Sequence, residues 1–414
     1  MGIFGWNYLT SGDKRTIAAG VREGRAHGGP YHMEIHPADR CNIDCFFCST
    51  AAIRGTDELP RPRFESLLDE AVAHGLRSIR LAGGGEPLFH REIVPILEHV
   101  ERLGIRIENI TTNGVLLLPK TVDILVRVCD ELTISLNTHD APSYARMMKT
   151  TEKNFHRVLD NVRALAAKRG KQRTPRIVVQ FLVWKENYRH VEEMYRLARS
   201  LGADHILFNG LSGLTPEQML TMEERRELLD RYREVLREDE FRHIRNISSY
   251  EYDISADIAA LVHDLSAARR AQPLARRAVN FLRRPDALRA KLAHFVRMQL
   301  RYRRERHVAD YDDACIIGWY SMLVRSTGDV GPCCILQGKR LGNIMEKSVT
   351  DIWYGQAYQT FRTELNRIRA ARHAWTPEGT ETITEGGCGL AGPCPMRSYY
   401  YRSDDAFARE LART

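Results

Sequence analysis

The chain has 414 residues, of which 43% are hydrophobic and 28% charged, with a formal net charge of +8. This composition is that of a water-soluble globular protein of two or three subdomains, and the lack of an uncharged apolar run of about 18 residues excludes a membrane-spanning helix. The polar N-terminus argues against a secretory signal peptide, so we expect a cytoplasmic protein, in which nine cysteines favour metal or catalytic thiols over disulfides.

Residues 31–209 repeat one pattern, in which a short β-type apolar run is followed by a polar loop and a helical period. The predicted strands are 32–36, 78–82, 105–111, 131–136, 177–183 and 205–209. The predicted helices between them include 64–75, 91–103, 119–128, 154–168 and 189–201. This alternation indicates an α/β fold with right-handed βαβ units and a parallel sheet, either an incomplete (β/α) barrel or an open doubly wound sheet.

The pattern changes twice beyond the last of these strands. Residues 215–307 lose the strand signal and predict helices, whereas cysteine, glycine and short strands return from residue 308, followed by a helix near 349–370. We therefore predict an N-terminal extension at 1–30, the α/β core at 31–212, a helical bridge at 213–307 and a small α+β module with cysteines at 308–414.

The end of the predicted bridge is strongly basic. Between Arg269 and Arg306 the chain has thirteen Arg or Lys residues and two acidic ones. Apolar residues recur there at helical spacing, which favours a helix face packed on the rest of the protein with solvated arginines on the other side. An anionic substrate and a membrane surface are the functional alternatives. Nucleic acid is not expected, because no binding motif accompanies the charge.

The loops that follow the first four strands carry the residues suited to chemistry. In a parallel barrel these loops meet at the carboxyl edge of the strands, where reactive groups lie. The motifs in chain order are C-x3-C-x2-C at Cys41, Cys45 and Cys48, then Gly83–Glu86, then Thr111–Gly114, and finally Ser135 and Asn137. Their convergence predicts one ligand site.

The cysteine triplet is compatible with two metal centres. Zinc sites usually pair two C-x2-4-C motifs, and the cysteines that could form a second pair lie more than 260 residues downstream. Three thiolates on one loop suit an iron–sulfur cubane better, and they leave one iron open to a partner that is not protein. A glycine run alone predicts a tight turn, but beside the cysteines it indicates close backbone approach to a ligand. Ser135 and Asn137 are two positions apart, so both are expected on one strand face.

These motifs resemble those of the radical S-adenosylmethionine (SAM) superfamily over about residues 31–210: the triplet with Phe47 before its last cysteine, the GGE-type segment, TTNG and SLN. The resemblance implies a partial (β/α)6 TIM-like barrel that holds a [4Fe–4S] cluster on Cys41, Cys45 and Cys48. The open iron would bind the amino and carboxylate groups of SAM. The residues implied to contact SAM are Phe47 at the adenine, Gly84, Gly85 and Glu86 at the amino group, Asn113, and then Ser135, Asn137 and Arg146 at the carboxylate and ribose.

The chemistry implied by the resemblance is one-electron reduction of the cluster by a flavodoxin- or ferredoxin-type donor and cleavage of SAM. The resulting 5′-deoxyadenosyl radical abstracts hydrogen from an unactivated carbon, and the barrel orients the substrate and excludes water.

The C-terminal module resembles the SPASM/Twitch extension of these enzymes. Cys315 and Cys333 fit C-x12-G-x4-C, and Cys388 and Cys394 fit C-x5-C. The full SPASM pattern has seven cysteines, so the four present here imply one auxiliary [4Fe–4S] cluster on Cys315, Cys333, Cys388 and Cys394. Cys334 is expected to be an idle neighbour, a substitute for Cys394, or a donor of a hydrogen atom to a substrate radical. Cys129 lies in an apolar context and is expected to be a packed core thiol.

The favoured function is dehydrogenation of a sugar or aminocyclitol-type substrate from natural-product or cell-envelope metabolism, with the auxiliary cluster as electron acceptor. Epimerisation is closely related, and Cys334 would discriminate the two. Maturation of a ribosomally made peptide is the alternative, although the roughly 30 residues before the core are too few for an N-terminal leader-binding domain. A non-enzymatic iron–sulfur or zinc protein would leave the glycine run, Ser135 and Asn137 without a task.

Overall fold

The computed structural model describes residues 5–51, 54–170, 173–211, 214–240, 242–248, 315–334, 336 and 338–372. The predictions for the basic helices at 269–306 and for Cys388 and Cys394 lie outside the described residues, as does most of the predicted bridge.

One sheet of ten strands organises the described chain, in the order β10-β9-β8-β1-β2-β3-β4-β5-β6-β7. The strands are β1 (His32–Ile35), β2 (Ser78–Leu81), β3 (Arg106–Thr112), β4 (Glu131–Asn137), β5 (Arg176–Val183), β6 (His205–Gly210), β7 (Ile244–Ser248), β8 (Ser321–Val324), β9 (Asp329–Gly331) and β10 (Gly342–Asn343). Strands β1 to β7 are parallel neighbours in chain order. A doubly wound sheet reverses its strand order, so that alternative is wrong, and the incomplete barrel is confirmed.

The helices are α1 (Ser11–Glu23), α2 (Arg61–Ala73), α3 (Ile93–Leu103), α4 (Pro119–Val128), α5 (Ala141–Met147), α6 (Glu152–Lys168), α7 (Val191–Ser200), α8 (Met222–Asp239), α9 (Ile317–Tyr320), α10 (Val349–Trp353) and α11 (Gln356–Arg372). Apolar residues at helical spacing explain them: in α3, Ile93, Ile96, Leu97 and Val100 are all buried. None of these described helices has the length and apolarity needed to cross a membrane.

Two sequence predictions about these elements are corrected. Residues 244–248 were predicted as part of a helical stretch but form strand β7, because the open edge of β6 pairs with them through Ile206 and Ile244. The predicted helix near 349–370 is two helices, since the chain turns at Gly355. A Cβ at Gly355 would lie 2.2 Å from the Asp351 carbonyl oxygen. The six strands of the core lie within one residue of their predicted bounds.

The C-terminal module extends the barrel sheet. Strand β8 pairs in parallel with β1, and β9 returns antiparallel to β8. Side chains of α2 reinforce this junction: the Arg63 Nη2 donates to the Lys347 carbonyl (2.8 Å), and the Val349 amide donates to Glu70 (2.7 Å). The β1 strand therefore has hydrogen-bonded neighbours on both sides.

Candidate active site at the carboxyl edge of the barrel

The three cysteines lie in the loop after β1, and each is partly exposed. The C-terminal end of α5 holds this loop, because the amides of Asp44 and Phe46 donate to the carbonyls of Met148 and Met147 at 3.2 Å each. None of the seven described cysteines forms a disulfide. The structure therefore brings Cys41, Cys45 and Cys48 together on one anchored loop.

Each cysteine sulfur has a soft or polar neighbour. The Asn113 Nδ2 lies 3.8 Å from Cys41 Sγ, the Thr50 hydroxyl 3.2 Å from Cys48 Sγ, and the Met148 Sδ 3.7 Å from Cys45 Sγ. Burial raises the pKa of the Cys41 and Cys45 thiols, the latter to about 12, so metal binding must displace their protons. Among the described residues no three His, Cys, Asp or Glu side chains converge on one ion. A cubane instead takes one iron per thiolate.

The glycine run packs against the segment that leads into the cysteine loop. A Cβ at Gly83, Gly84 or Gly85 would lie 1.9 Å from the His36 ring, 2.2 Å from Asp39 Oδ1 or 2.1 Å from the Arg40 carbonyl oxygen. The Gly85 amide also donates to the Ala38 carbonyl at 3.0 Å. Glycine is thus required for contact between two loops, which the sequence did not indicate; its approach to SAM stays a prediction.

Glu86 joins the glycine loop to the loop after β3. Its buried carboxylate accepts hydrogen bonds from the Thr112 hydroxyl (2.6 Å), the Asn113 amide (2.8 Å) and the Leu88 amide (3.1 Å). Burial raises the pKa of this carboxyl group. Asn113 continues the connection, since its Nδ2 donates to the side chain of Asn42 at 2.7 Å. Three of the four predicted motifs are therefore linked by direct hydrogen bonds.

The end of β4 supplies unsatisfied polar atoms. A bulge between Ser135 and Asn137 and a φ of +66° at Asn137 break the strand alternation, so the prediction that both share one face is wrong. Among the described residues, Asn137 Oδ1 and the Thr138 hydroxyl are buried without a hydrogen-bond partner. Buried polar atoms require partners. An amide oxygen and a hydroxyl fit the amino and carboxylate groups that the resemblance assigns to SAM.

The remaining predicted SAM contacts differ in their placement. Phe47 meets Phe46 edge-on at 5.3 Å, and Phe46 packs on Trp184 at 5.1 Å, beside the cysteines. Arg146 is exposed on α5 and donates to the Ser143 hydroxyl of its own helix at 3.2 Å. Trp184, whose buried Nε1 has no partner in the described chain, was missed; its position directly after β5 was the available signal.

Polar side chains also cross the concave face of β1, β2 and β3. All crossover helices of a right-handed barrel lie on its outer face, so the half-buried residues between the fully buried Met33, Ile35, Ile79 and Leu81 face the lumen. The Glu34 carboxylate lies 3.1 Å from the His36 ring and 3.9 Å from Arg80, which donates to the Thr111 hydroxyl at 3.3 Å. Burial opposes ionisation of Glu34, but Arg80 and His36 outweigh it and lower its pKa to about 2.

Cys334 follows the auxiliary-cluster candidate Cys333. Burial raises the pKa of its thiol to about 12. The group is therefore a protonated thiol at neutral pH. Cys129 is fully buried and its thiol donates to the Glu131 carbonyl at 3.2 Å, which confirms the packed core thiol.

The segments that carry Cys315 and Cys333 in the C-terminal module both contact α11. Cys315 precedes α9 and Cys333 follows β9. Arg362 donates to the Gly318 carbonyl at 2.7 Å, and the Tyr358 hydroxyl donates to the Gly331 carbonyl at 3.3 Å. Both cysteine-bearing segments thus contact the same helix.

Two family models match the chain. The model of the radical SAM superfamily matches residues 35–198, which include the cysteine loop, the glycine run and the loops after β3 and β4. The model of SPASM, an iron–sulfur cluster-binding domain, matches residues 315–375. That second range contains Cys315 and Cys333 and ends before Cys388.

Relatives and solved structures agree with these matches. The chain is 23% identical over 353 residues to the tungsten-containing aldehyde ferredoxin oxidoreductase cofactor-modifying protein of Pyrococcus furiosus, covering 80% of this chain and 83% of that protein. It is 33% identical over 143 residues to the GTP 3',8-cyclase of Geobacter sulfurreducens, covering 33% of this chain and only 42% of the cyclase. The crystal structure of Streptococcus suis SuiB bound to precursor peptide SuiA shares the fold, with a TM-score of 0.55 and 19% identity over 84% of this chain and 70% of SuiB.

Proposed function

The chain carries a radical SAM domain and a C-terminal SPASM iron–sulfur domain, and on this premise we propose that it abstracts hydrogen from a C–H bond of a small hydroxyl-rich substrate of the sugar or aminocyclitol class. When bound, the [4Fe–4S] cluster and SAM supply the 5′-deoxyadenosyl radical that takes this hydrogen. The polar lumen around Glu34, Arg80 and Thr111 is the observation that carries the substrate class. We place the enzyme in the cytoplasm, with a flavodoxin- or ferredoxin-type electron donor.

In this proposal, different residues of the chain bind the cluster, SAM and the substrate. Cys41, Cys45 and Cys48 hold the cluster, and the buried oxygens of Asn137 and Thr138 orient the amino acid part of SAM. The lumen then offers the substrate a carboxylate at Glu34 and a guanidinium at Arg80. Such paired charges hydrogen-bond vicinal hydroxyl groups and fix which C–H bond faces the reactive edge.

The net reaction in this proposal is dehydrogenation of a carbinol. The carbinol C–H bond breaks and its hydrogen atom leaves with 5′-deoxyadenosine. The hydroxyl proton of the substrate radical goes to the His36–Glu34 pair as the C=O bond forms. An auxiliary cluster held by Cys315, Cys333, Cys388 and Cys394 would supply the acceptor for the one electron that this oxidation releases. The 3.1 Å contact between His36 Nε2 and Glu34 supports this route for the proton.

Epimerisation is a second candidate, and the protonated thiol of Cys334 favours it. A donor of a hydrogen atom must be a thiol and not a thiolate, and the raised pKa of Cys334 meets that requirement. Its S–H bond would break to form a new C–H bond on the opposite face of the substrate carbon. Return of the sulfur radical to the thiol would need one proton, from the His36–Glu34 pair, and one electron, which an auxiliary cluster would supply.

The deciding experiment uses anaerobically reconstituted protein, SAM, dithionite and a panel of monosaccharides, inositols and aminocyclitols in D2O. We expect 5′-deoxyadenosine to accumulate with one class of the panel. A product two mass units lighter than its substrate supports dehydrogenation, and an isomer carrying one deuterium, lost in Cys334→Ala, supports epimerisation.

Activity with a peptide substrate alone would overturn the proposed substrate class. SuiB, whose fold this chain shares, was crystallised with the precursor peptide SuiA bound. If 5′-deoxyadenosine forms only with a peptide encoded beside the enzyme and with no member of the panel, the small-molecule assignment is wrong.

A further inference from the structure

Arg362 is a charged side chain in the interior of the C-terminal module. It lies on α11 and is 1% exposed. Its guanidinium carbon lies 4.7 Å from the centre of the Trp353 ring and 5.1 Å from that of Tyr358, two rings whose centres are 4.8 Å apart, and its Nε donates to the Gly318 carbonyl at 2.7 Å. The side chain is therefore held in one place by the two aromatic rings and by this hydrogen bond.

No described carboxylate compensates this charge. Burial lowers the pKa of Arg362 to about 10, which leaves it protonated at neutral pH, and the titratable groups that act on it are the phenols of Tyr358 and Tyr354. Within the described part of the chain, its Nη2 is buried without a hydrogen-bond partner. A buried cation without an anion is strongly unfavourable, so an anion is expected beside it.

The position of Arg362 identifies the class of that anion. Gly318, which accepts its hydrogen bond, lies three residues after Cys315, and Gly331, which accepts from Tyr358, lies two residues before Cys333. Arg362 and Tyr358 are one turn apart on α11. The guanidinium thus lies where the two cysteine-bearing segments approach the same helix, and a thiolate-ligated [4Fe–4S] cluster bears net negative charge.

We propose that Arg362 is the fixed counter-charge of the auxiliary cluster and raises its reduction potential. Reduction adds negative charge to the cluster, and a nearby cation in a medium of low dielectric constant stabilises the reduced state more than the oxidised one. The higher potential suits a cluster that must accept an electron from a substrate radical. The inference rests on the auxiliary cluster of the proposed function, and its test separates the two.

The test uses the full chain with Cys41, Cys45 and Cys48 changed to Ala, so that any remaining cluster is the auxiliary one. Arg362→Met removes the charge but retains most of the side-chain length, and Arg362→Lys retains the charge. Arg340→Met is the matched control, because Arg340 is an exposed arginine of the same module, paired with Asp329. The measurement is the midpoint potential from an EPR-monitored redox titration, together with bound iron and the circular dichroism spectrum.

We expect the potential to fall in Arg362→Met and to stay near that of the parent in Arg362→Lys and Arg340→Met. The proposal is also supported if Arg362→Met loses iron while Arg362→Lys retains it and both show the circular dichroism spectrum of a folded protein. These two side chains are similar in length, so the difference in iron would be due to the charge. Equal potentials in all variants, or equal iron loss in the Met and Lys variants of Arg362, would overturn it. A parent that binds no iron refutes the auxiliary cluster itself, a distinct failure.

Discussion

Single side chains hold the candidate site together by joining neighbouring loops and strands. Glu86 connects two loops through two hydrogen bonds, and Asn113 connects the second loop to Asn42 of the cysteine loop. Glu34 and Arg80 make a similar contact between the neighbouring strands β1 and β2. At the residue scale, polar groups buried in this way are fixed in position, which is what a site for radical chemistry requires.

The ionisation of Glu34 gives a pH-dependent test of whether these buried polar contacts stabilise the fold. Its pKa falls from 4.5 to about 2 in the folded protein, so its ionised form stabilises the fold above pH 4.5 and that stabilisation is lost as the pH falls toward 2. We expect Glu34→Gln to lower the free energy of unfolding of the apo-protein by about 3 kcal/mol at pH 7. The deficit relative to the parent should shrink below pH 4.5, as measured by urea unfolding at several pH values; a deficit independent of pH contradicts the assignment.

At the scale of elements, the loops after β1 and β2 form one unit. The glycine run lets the second loop lie against the backbone of the first, and α5 fixes the other side of the cysteine loop by two amide hydrogen bonds. The position of the cysteine loop is therefore fixed by contacts with the loop after β2 and with the end of α5.

Gly85→Ala tests this unit directly. Its Cβ would lie 2.1 and 2.4 Å from the carbonyl oxygens of Arg40 and Asp39, which are backbone atoms and cannot rotate away. We expect a loss of about 1–3 kcal/mol in unfolding free energy and weaker SAM binding by calorimetry. Gly338→Ala is the control, because no atom lies within 4 Å of the added Cβ and stability should be unchanged. Equal effects of both substitutions would show that the contact is unimportant.

At the scale of the whole molecule, the C-terminal module completes the edge of the barrel. Strand β8 pairs with β1 over four residues, so the SPASM module and the radical SAM barrel share backbone hydrogen bonds. Without β8, the strand that leads into the cysteine loop would expose an unpaired edge, and such edges promote aggregation and local opening.

Hydrogen exchange followed by mass spectrometry measures this dependence. In the full chain, we expect the amides of β1 to exchange as slowly as those of β3, because both strands have neighbours on each side. In a fragment of residues 1–312, which lacks β8, β1 should exchange much faster than β3. Equal protection of β1 in both proteins would mean that the module does not support the barrel edge.

Iron content tests the two-cluster organisation. We expect about eight irons in the reconstituted full chain and about four after Cys41, Cys45 and Cys48 are changed to Ala, with complete loss of reductive SAM cleavage. Cys129→Ala is the control, since this thiol is packed in the core and its loss should leave the iron content unchanged. If the unmodified protein binds only about four irons, it has no auxiliary cluster.

The strands of the core and the four motifs at their ends could be predicted from the sequence, because hydrophobic period and residue chemistry are local properties. The sequence could not show that Gly83–Gly85 contact Asp39 and Arg40, that a bulge turns Asn137, or that residues 244–248 extend the sheet, since each depends on a partner distant in the chain. The tertiary structure was also needed to pair Glu34 with Arg80 and to bury Arg362 against the segment that follows Cys315. Candidate cluster ligands can be recognised in the sequence because they depend on residue type and spacing. The positions of charged side chains around them depend on tertiary packing.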